Sequence, residues 1–351
     1  MYKVEYKRHI LDFNFPARTS RGAIQQKETY FIRIFRPENP TITGIGECSP
    51  LRGLSIDDRP DYEDFLRECT RQLSQMEDLK RFRSIPGLEE YPSIAFGIEM
   101  AVYDYLNGGT RDFFGNDFRK GTQRIPINGL VWMGDRDFML EQVKTKLKAG
   151  FDCIKIKVGA INFEEECELI EYIRSNYTPE EITIRVDANG AFTAADALEK
   201  LQRLASYQLH SIEQPIKAGQ IEVMRELCQQ TPLPIALDEE LIGIKSSEKA
   251  SLLDRISPQY IILKPSLLGG FQQSEEWINL AEERGIGWWM TSALEANVGL
   301  NAISQFTAQY PVTMPQGLGT GQLYHNNIDS PLTIEKGELY YDTTKAWGSL
   351  G

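Results

Sequence analysis

Five short runs in the second half of the chain decide its fold, and each carries a charged residue behind apolar, β-forming residues. They read IKIK at residues 154–157, IRVDAN at 184–189, SIEQP at 211–215, ALDE at 236–239 and IILKP at 261–265. The charged landmarks are Lys157, Asp187, Glu213, Asp238 and Lys264, separated by 30, 26, 25 and 26 residues. A strand, a loop, a crossover helix and a return loop need about that length. The spacing therefore predicts successive β/α units with one charge at the carboxyl end of each strand.

The same alternation of strands and helices extends from residue 126 onward. Apolar strand candidates lie at 127–132, 153–158, 182–186, 211–213, 234–237, 260–263 and 286–290, with amphipathic helices between them. Residues 312–314 would add a closing strand. We therefore predict an α/β protein with a TIM-like barrel, (β/α)7β or (β/α)8. A doubly wound open sheet is disfavoured, because no glycine-rich phosphate loop follows the first strands and the charges recur at every strand end.

Residues 1–122 have a different pattern, in which strand candidates come first and helices follow. The segments 4–15, 28–36 and 44–51 are strand-like, and 62–76 and 93–106 have helical apolar spacing. A polar loop is expected at 18–22, and a hairpin at 332–341. We predict an α+β domain at 1–122, joined by the C-terminal segment 331–351, and a barrel at 123–330.

The composition excludes several classes of protein. A net charge of −12 over 351 residues argues against a general nucleic-acid binder, which needs clustered lysine and arginine. No apolar run is long enough to span a membrane, and the N-terminus lacks the apolar core of a signal peptide. The five cysteines are scattered and odd in number, so we expect free thiols in a cytoplasmic protein. Monomer and homo-oligomer both stay open.

Three of the landmarks are carboxylates from consecutive strands: Asp187, Glu213 and Asp238. Hard oxygen ligands without histidine or cysteine are typical of a Mg²⁺ site, with Mn²⁺ as the alternative. Each acid taken singly is equally consistent with a salt bridge at a barrel rim. Their repetition with the β/α unit favours the metal site.

The lysines face the same carboxylates. Lys155 and Lys157 are two apart on one strand, so both side chains point to the barrel interior. A neighbouring ammonium group and a metal ion both disfavour protonation of Lys157, which would make it a usable base. Lys264 comes from across the barrel and would address the opposite face of a substrate. This set predicts abstraction of a proton α to a metal-bound carboxylate, and simple charge balance with the acids is the alternative.

In the order Lys-Ile-Lys, Asp-Ala-Asn, Ile-Glu-Gln-Pro, Leu-Asp-Glu and Leu-Lys-Pro, these motifs resemble the enolase superfamily, muconate-lactonizing subgroup. Within it the chain is similar to the o-succinylbenzoate synthases of menaquinone biosynthesis. The resemblance covers nearly the whole chain and implies an N-terminal capping domain over the barrel. It also implies an Mg²⁺-dependent lyase that converts 2-succinyl-6-hydroxy-2,4-cyclohexadiene-1-carboxylate into 2-succinylbenzoate by syn dehydration. The substrate would be a small carboxylate, with no nucleic acid and no membrane as partner.

The resemblance also implies residue roles. Asp187, Glu213 and Asp238 would be the metal ligands and Lys157 the base. Lys264 would stabilise the enediolate, and Lys155 would tune Lys157. Four further positions would contact the substrate: Arg185, Asn189, Ser292 and Arg21.

Close relatives share these motifs, so an N-succinylamino acid racemase or a dipeptide epimerase is the alternative activity. Dipeptide epimerases carry an Asp-x-Asp near the eighth strand, where this chain reads Gly317-Leu318-Gly319. A sugar-acid dehydratase would need a late-strand histidine, and none of the three histidines ends such a strand. A barrel kept only for binding is expected to have lost some of the six charges.

Overall fold

The N-terminal part of the molecule is an antiparallel sheet followed by two helices. The computed structural model describes residues 1–19, 22–159 and 162–350. Strands β1 (Lys3–Thr19), β2 (Gly22–Arg36) and β3 (Asn39–Cys48) form the sheet in the order β1-β2-β3. Helices α1 (Tyr62–Gln75) and α2 (Pro92–Leu106) follow, with short 3₁₀ turns between them. The order of strands and then helices is the predicted one.

Strands β1 and β2 form one long hairpin. Their pairing runs from Lys3 opposite Phe35 to Thr19 opposite Gly22, with one irregularity between Asp12 and Ala17. The loop predicted at 18–22 is therefore too long, because strand pairing continues into it from both sides. Ser20 and Arg21 lie outside the described residues.

The second sheet has seven strands, all parallel to their neighbours, in the order β11-β10-β9-β8-β7-β6-β5. Its strands are β5 (Gly129–Val131), β6 (Cys153–Lys157), β7 (Thr183–Asp187), β8 (Ser211–Glu213), β9 (Ile235–Leu237), β10 (Tyr260–Leu263) and β11 (Gly287–Met290). The intervening helices are α3 (Arg136–Lys148), α4 (Phe163–Asn176), α5 (Ala197–Ala205), α6 (Ile221–Gln230), α7 (Ser246–Ile256), α8 (Pro265–Leu268) and α9 (Phe271–Glu282), and α10 (Asn297–Thr307) follows β11. Each of the seven strands predicted between residues 127 and 290 overlaps an observed one.

The gap between the first and last parallel strands is bridged further along the chain than predicted. Residues 312–314 form no strand; instead Gln316 makes a parallel bridge to Ile127 and Gly317 one to Thr291. The Gln316 amide donates to Pro126 O at 2.7 Å, and the Gly317 amide donates to Met290 O at 2.8 Å. Pro311 and Pro315 flank the predicted strand, and proline cannot donate to a ladder. The pairing therefore begins only after the second proline.

Alternation along β6 explains how its lysines reach the interior of the curled sheet. Ile154 and Ile156 pack into the large apolar core shared with the surrounding helices. Lys155 and Lys157 have the opposite orientation and line an internal cavity. Both lysines are buried, and the two-residue period of a strand places them on one face.

The N-terminal sheet packs against loops at the carboxyl ends of the parallel strands. Phe13 forms an isolated bridge with Tyr324, and the Asn14 amide donates to Leu323 O at 2.8 Å. Leu11 and Phe31 share an apolar cluster with residues of those loops, among them Leu294. This packing places the hairpin over the edge where the charged landmarks end.

The C-terminal hairpin consists of β12 (Leu332–Glu335) and β13 (Glu338–Tyr341), and it pairs with β4 (Arg124–Pro126). It therefore joins the start of the parallel-strand region and not the three-stranded N-terminal sheet. All five cysteines are buried and free, as expected. No helix within residues 1–19, 22–159 and 162–350 combines the length and apolarity needed to cross a bilayer.

Candidate active site

Six charged side chains meet at the carboxyl edge of the parallel sheet, and we call them the charged floor: Lys155, Lys157, Asp187, Glu213, Asp238 and Lys264. Lys157, Asp187 and Glu213 are the last residues of three adjacent strands, and the strand register places them side by side. Asp238 and Lys264 directly follow β9 and β10. The three carboxylates are almost fully buried. The predicted landmarks therefore come together in space.

The two lysines of β6 contact the first two acids. Lys155 Nζ lies 3.1 Å from Asp187 Oδ2 and also donates to Glu213 Oε2. Lys157 Nζ donates to Asp187 Oδ2 at 2.9 Å and to Asn189 Oδ1 at 2.6 Å. Lys157 is thus oriented by the carboxylate of Asp187, the last residue of β7, and by the side-chain amide of Asn189 in the loop that follows.

Lys264 approaches the same acids from the other side. Its ammonium group donates to Asp238 Oδ2 and lies 3.9 Å from Glu213 Oε1. Lys155 and Lys264 therefore flank Glu213 from β6 and β10. A group bound above Glu213 would have a lysine on either side.

The acids and lysines shift each other's protonation. Burial alone would raise the pKa of Asp187, but the ammonium groups of Lys155 and Lys157 hold that pKa well below its usual value. Burial, reinforced by the charge of Asp187, raises the pKa of Glu213. Burial would lower the pKa of Lys264, but Asp238 and Glu213 more than offset it, so that pKa is raised and Lys264 stays charged.

The donor set fits a hard divalent cation. No three His, Cys, Asp or Glu side chains in the described parts of the chain are arranged as a ready-made metal cluster. In this structure the floor acids pair with lysine ammonium groups. Glu213 Oε1 is nevertheless buried with no hydrogen-bond partner. Buried polar atoms rarely lack a hydrogen-bond partner. A carboxylate oxygen that lacks a hydrogen-bond donor, next to two further carboxylates, offers the oxygen ligands that Mg²⁺ or Mn²⁺ prefers.

A cavity of about 740 Å³ includes the space above the floor and extends along α3 to Phe151 and Lys336. Its apolar lining comes partly from the N-terminal sheet and the loop after it, through Phe15, Ile24, Leu51 and Leu54, and partly from the parallel-strand region, through Leu130, Trp132, Trp289, Leu294 and Leu323. Polar lining is contributed by Asn128, Asn189, Ser292, Thr320 and Gln322. The cavity therefore has a charged floor and mainly apolar walls, a combination typical of small-ligand sites.

The four residues predicted to contact substrate have different positions. Asn189 and Ser292 line the cavity, and the Ser292 hydroxyl is 2.6 Å from Thr320 Oγ1. Arg185 is buried below the cavity, where it donates to Pro315 O at 2.7 Å and stacks on Trp289 at 4.1 Å. Arg21 lies outside the described residues. Substrate contact by Arg185 and Arg21 stays a prediction.

Several lining residues escaped sequence reasoning. Trp289 is the penultimate residue of β11, and the strand pattern at 286–290 did not mark it as a cavity-lining residue. Phe15, Ile24, Leu51 and Leu54 lie far from the landmarks in sequence and carry no signal of their own. Glu239, which accepts from Asn189 Nδ2 at 3.1 Å, is marked only by its position next to Asp238.

Comparison with known proteins finds enzymes that are similar to this chain over most of its length. A family model described as Enolase C-terminal domain-like matches residues 139–348. An o-succinylbenzoate synthase from Desulfotalea psychrophila is 46% identical over 364 residues, covering 96% of this chain and 98% of that protein. The crystal structure of MenC from the same organism superposes with a TM-score of 0.85 at 43% identity, covering 97% of this chain and 99% of that one.

A more distant structure shares the fold alone. It is a dipeptide epimerase from Enterococcus faecalis complexed with Mg and the dipeptide L-Leu-L-Tyr. It has a TM-score of 0.83 at 20% identity, and 96% of each chain is covered. The likeness shows that the same architecture accommodates a metal ion and a small carboxylate ligand in that protein.

Proposed function

Since the chain belongs to the Enolase C-terminal domain-like family of the enolase superfamily, we propose that it is a lyase with o-succinylbenzoate synthase activity. The reaction removes water from 2-succinyl-6-hydroxy-2,4-cyclohexadiene-1-carboxylate and yields 2-succinylbenzoate, a step of menaquinone biosynthesis. Within the structure, the observation that carries the proposal is the charged floor, in which lysines from β6 and β10 flank three carboxylates below an apolar cavity.

The proposed architecture is a (β/α)7β barrel under an N-terminal capping domain. Residues 1–122 would form the cap and residues 123–330 the catalytic barrel. The segment 331–351, predicted to join the cap, has its hairpin paired with β4 at the start of the barrel range. Phe15 and Leu51 support this division, because they bring the N-terminal region into the cavity lining. The closing pairs of Gln316 and Gly317 support the barrel.

Asp187, Glu213 and Asp238 would hold the metal ion, Mg²⁺ or alternatively Mn²⁺. When bound, the ion would supply the positive charge that makes the α-proton of the substrate carboxylate acidic, as in other superfamily sites. The buried, unpartnered Glu213 Oε1 supports this assignment.

The three lysines would carry out the proton chemistry. The C–H bond α to the carboxylate breaks, and its proton passes to Lys157 Nζ as the enediolate forms. Lys157 then returns that proton to the departing hydroxyl on the same face, so that the C–O bond breaks, water leaves and the ring becomes aromatic. Lys264, whose pKa is raised by Asp238 and Glu213 against burial, would remain charged and stabilise the enediolate from the opposite side. Lys155 would tune Lys157 and approach the carboxylate.

The cavity walls support an uncharged ring. Trp132 and Phe15 lie edge to face at 6.1 Å, and both line the cavity. Gly317 and Gly319 line the cavity at the edge where the parallel sheet closes, and neither has a side chain that could bind a cationic amino group. This favours the cyclohexadiene over a dipeptide.

The direct test is turnover of 2-succinyl-6-hydroxy-2,4-cyclohexadiene-1-carboxylate by purified protein, followed by the ultraviolet absorbance of the ring and by chromatography of the product. We expect 2-succinylbenzoate to form with Mg²⁺, to stop after chelation and to resume when Mg²⁺ is restored. Absence of product under all metal conditions would reject the proposal.

An N-succinylamino acid racemase is the second candidate, because ammonium groups reach Glu213 from both sides and could serve both faces of an α-carbon. In deuterium oxide, a racemase would exchange the α-proton of an N-succinylamino acid. We expect any such exchange to have a lower kcat/KM than dehydration. The reverse ranking would make racemisation the main activity.

A further inference from the structure

A second group of buried charges lies where the N-terminal sheet meets the barrel, and we call it the junction cluster: Lys27, Glu47 and Glu295. Lys27 is 4% exposed, and both glutamates are fully buried. Lys27 belongs to β2, Glu47 to β3 and Glu295 to the loop after β11. Burying three ionisable groups is costly unless each is compensated, so the contacts that compensate them indicate what the cluster does.

Glu47 reaches from the N-terminal sheet to a barrel helix. Its Oε1 accepts from the Ala296 amide and its Oε2 from the Gly299 amide, both at 2.8 Å. Ala296 is the N-cap residue of α10, an eleven-residue helix, and Gly299 lies in its first turn. A carboxylate at this end accepts from open amide donors and complements the helix dipole. The Thr29 hydroxyl also donates to Oε1 at 2.9 Å. Glu47 is therefore a cap supplied by a different part of the chain.

Glu295 ties two barrel loops together. Its Oε2 accepts from the Ala293 amide at 2.8 Å, and its Oε1 accepts from the Ser266 hydroxyl. Ala293 and Leu294 line the cavity, and Ser266 is two residues beyond Lys264. Glu295 thereby links the cavity wall to the segment that carries a floor lysine.

Lys27 connects these acids to the segments that cover the cavity. Its ammonium group donates to the Ser49 hydroxyl, and Ser49 leads through Pro50 into Leu51 of the cavity wall. Lys27 is three residues from Ile24, which lines the same wall. The attraction of Glu47, Glu295 and Asp57 counters the burial that lowers the pKa of Lys27. One lysine thus balances acids from both parts of the molecule.

We propose that Lys27, through its hydrogen bond to Ser49, two residues beyond Glu47, is a positioning residue that holds the apolar cover in place over the cavity and thereby sets the affinity for substrate. Lys27 itself does not line the cavity, so it acts through Ile24, Leu51 and Leu294. These walls contact the substrate equally in the ground and transition states. Loosening them therefore changes KM and leaves kcat nearly unaltered.

The test compares two buried lysines. Lys27→Met removes the charge with little change of shape, and we expect KM for the cyclohexadiene carboxylate to rise about tenfold while kcat stays within about twofold. Lys249→Met is the matched control. Lys249 is also buried, but it pairs with Glu276 and Gln273 away from the cavity. It should lower Tm and leave KM unchanged.

Removing a nearby negative charge as well should restore the KM that Lys27→Met raises. In Lys27→Met/Glu295→Gln one positive and one negative charge are removed together, and the glutamine carbonyl oxygen can still accept from the Ala293 amide while its NH2 group donates to the Ser266 hydroxyl oxygen. We expect KM to return to within about threefold of wild type. An unchanged KM in Lys27→Met, with only a lower Tm, would assign the cluster a purely structural role and overturn the inference.

If Lys27→Met does not fold, Ser49→Ala answers the same question, because it removes the hydrogen bond to the ammonium group and keeps every charge. A raised KM supports the inference and an unchanged KM overturns it. The inference rests on the proposed function, and two measurements separate their failures. Wild-type protein without turnover rejects the function, whereas normal wild-type turnover with unaltered KM, and unaltered Kd for 2-succinylbenzoate, in the variant rejects the inference.

Discussion

The charged floor and the junction cluster bury the same kinds of side chain but differ in the groups that bind the carboxylate oxygens. In the junction cluster every oxygen of Glu47 and Glu295 accepts from a backbone amide or a hydroxyl. In the floor Glu213 Oε1 accepts from no donor, and its Oε2 is matched by an ammonium group. Fixed neutral donors hold a carboxylate in one place. A carboxylate that is paired with lysine ammonium groups and has an oxygen without a hydrogen-bond donor can still bind another cation. The presence or absence of a donor at each oxygen therefore separates a structural acid from a reactive one.

The largest effect that would sharpen this contrast is loss of the proposed base. Lys157→Ala should lower kcat by about 10²–10⁴-fold, the usual cost of losing a general base, with little change in Tm. Steady-state dehydration kinetics and thermal unfolding measure both quantities. Lys144→Ala, which removes an exposed lysine paired with Glu141 at 2.9 Å, should keep normal kinetics. Near-native activity in Lys157→Ala would remove that residue from the mechanism.

Matched glutamate substitutions test the two regions directly. Glu213→Gln should raise the Mg²⁺ concentration for half-maximal activity by at least about tenfold, because the variant lacks one of the three proposed metal-binding carboxylates. Glu295→Gln should leave that concentration unchanged. Calorimetric titration with Mn²⁺ gives the same comparison without turnover. Equal metal dependence in the two variants would break the distinction between reactive and structural acids.

Asp57, near the junction cluster, is a buried acid with one oxygen that lacks a donor, and its effect on stability depends on pH. It accepts from the Ser93 amide at 2.8 Å through Oδ2, while its buried Oδ1 lacks a partner. Burial raises the pKa of Asp57 to about 6, with the Ser93 hydrogen bonds opposing the rise. An acid with a raised folded pKa contributes stability below its unfolded value, and that contribution is lost as pH rises through about 6.

Asp57→Asn removes this titration while keeping an acceptor for Ser93. Relative to the variant, wild-type protein should lose on the order of 3 kcal/mol of unfolding free energy between about pH 4 and pH 7. Urea unfolding at both pH values measures it. Parallel pH profiles for the two proteins would show that Asp57 does not titrate as described.

The smallest predicted effect probes the close approach of the two junction glutamates. A Cβ on Gly299 would lie 2.8 Å from Glu295 Cβ and 3.1 Å from Glu47 Oε2. Gly299→Ala should therefore destabilise the protein by about 1–3 kcal/mol, although alanine normally stabilises a helix. Gly319→Ala, whose Cβ would lie 3.5 Å from its nearest neighbours, is the control. Chemical denaturation that showed a more stable Gly299→Ala would contradict the packing.

Sequence reasoning succeeded where structure repeats locally. The positions of Lys157, Asp187 and Glu213 at strand ends followed from the length of a β/α unit, and the inward direction of Lys155 from strand alternation. It failed at residues 312–314, because the closing pair at Gln316 and Gly317 depends on strands far away in the chain. The loop at 18–22 was overestimated for a similar reason, since polar composition does not reveal strand pairing.

The sequence by itself determined which charged groups gather at one edge, because unit length and alternation are properties of neighbouring residues. Only the tertiary structure decided what those groups contact, which apolar residues cover them and where Arg185 lies. It also decided the junction cluster, in which Glu47 and Ala296 meet across 249 residues. Such contacts arise from the packing of whole elements, and packing energy depends on partners that no local pattern identifies.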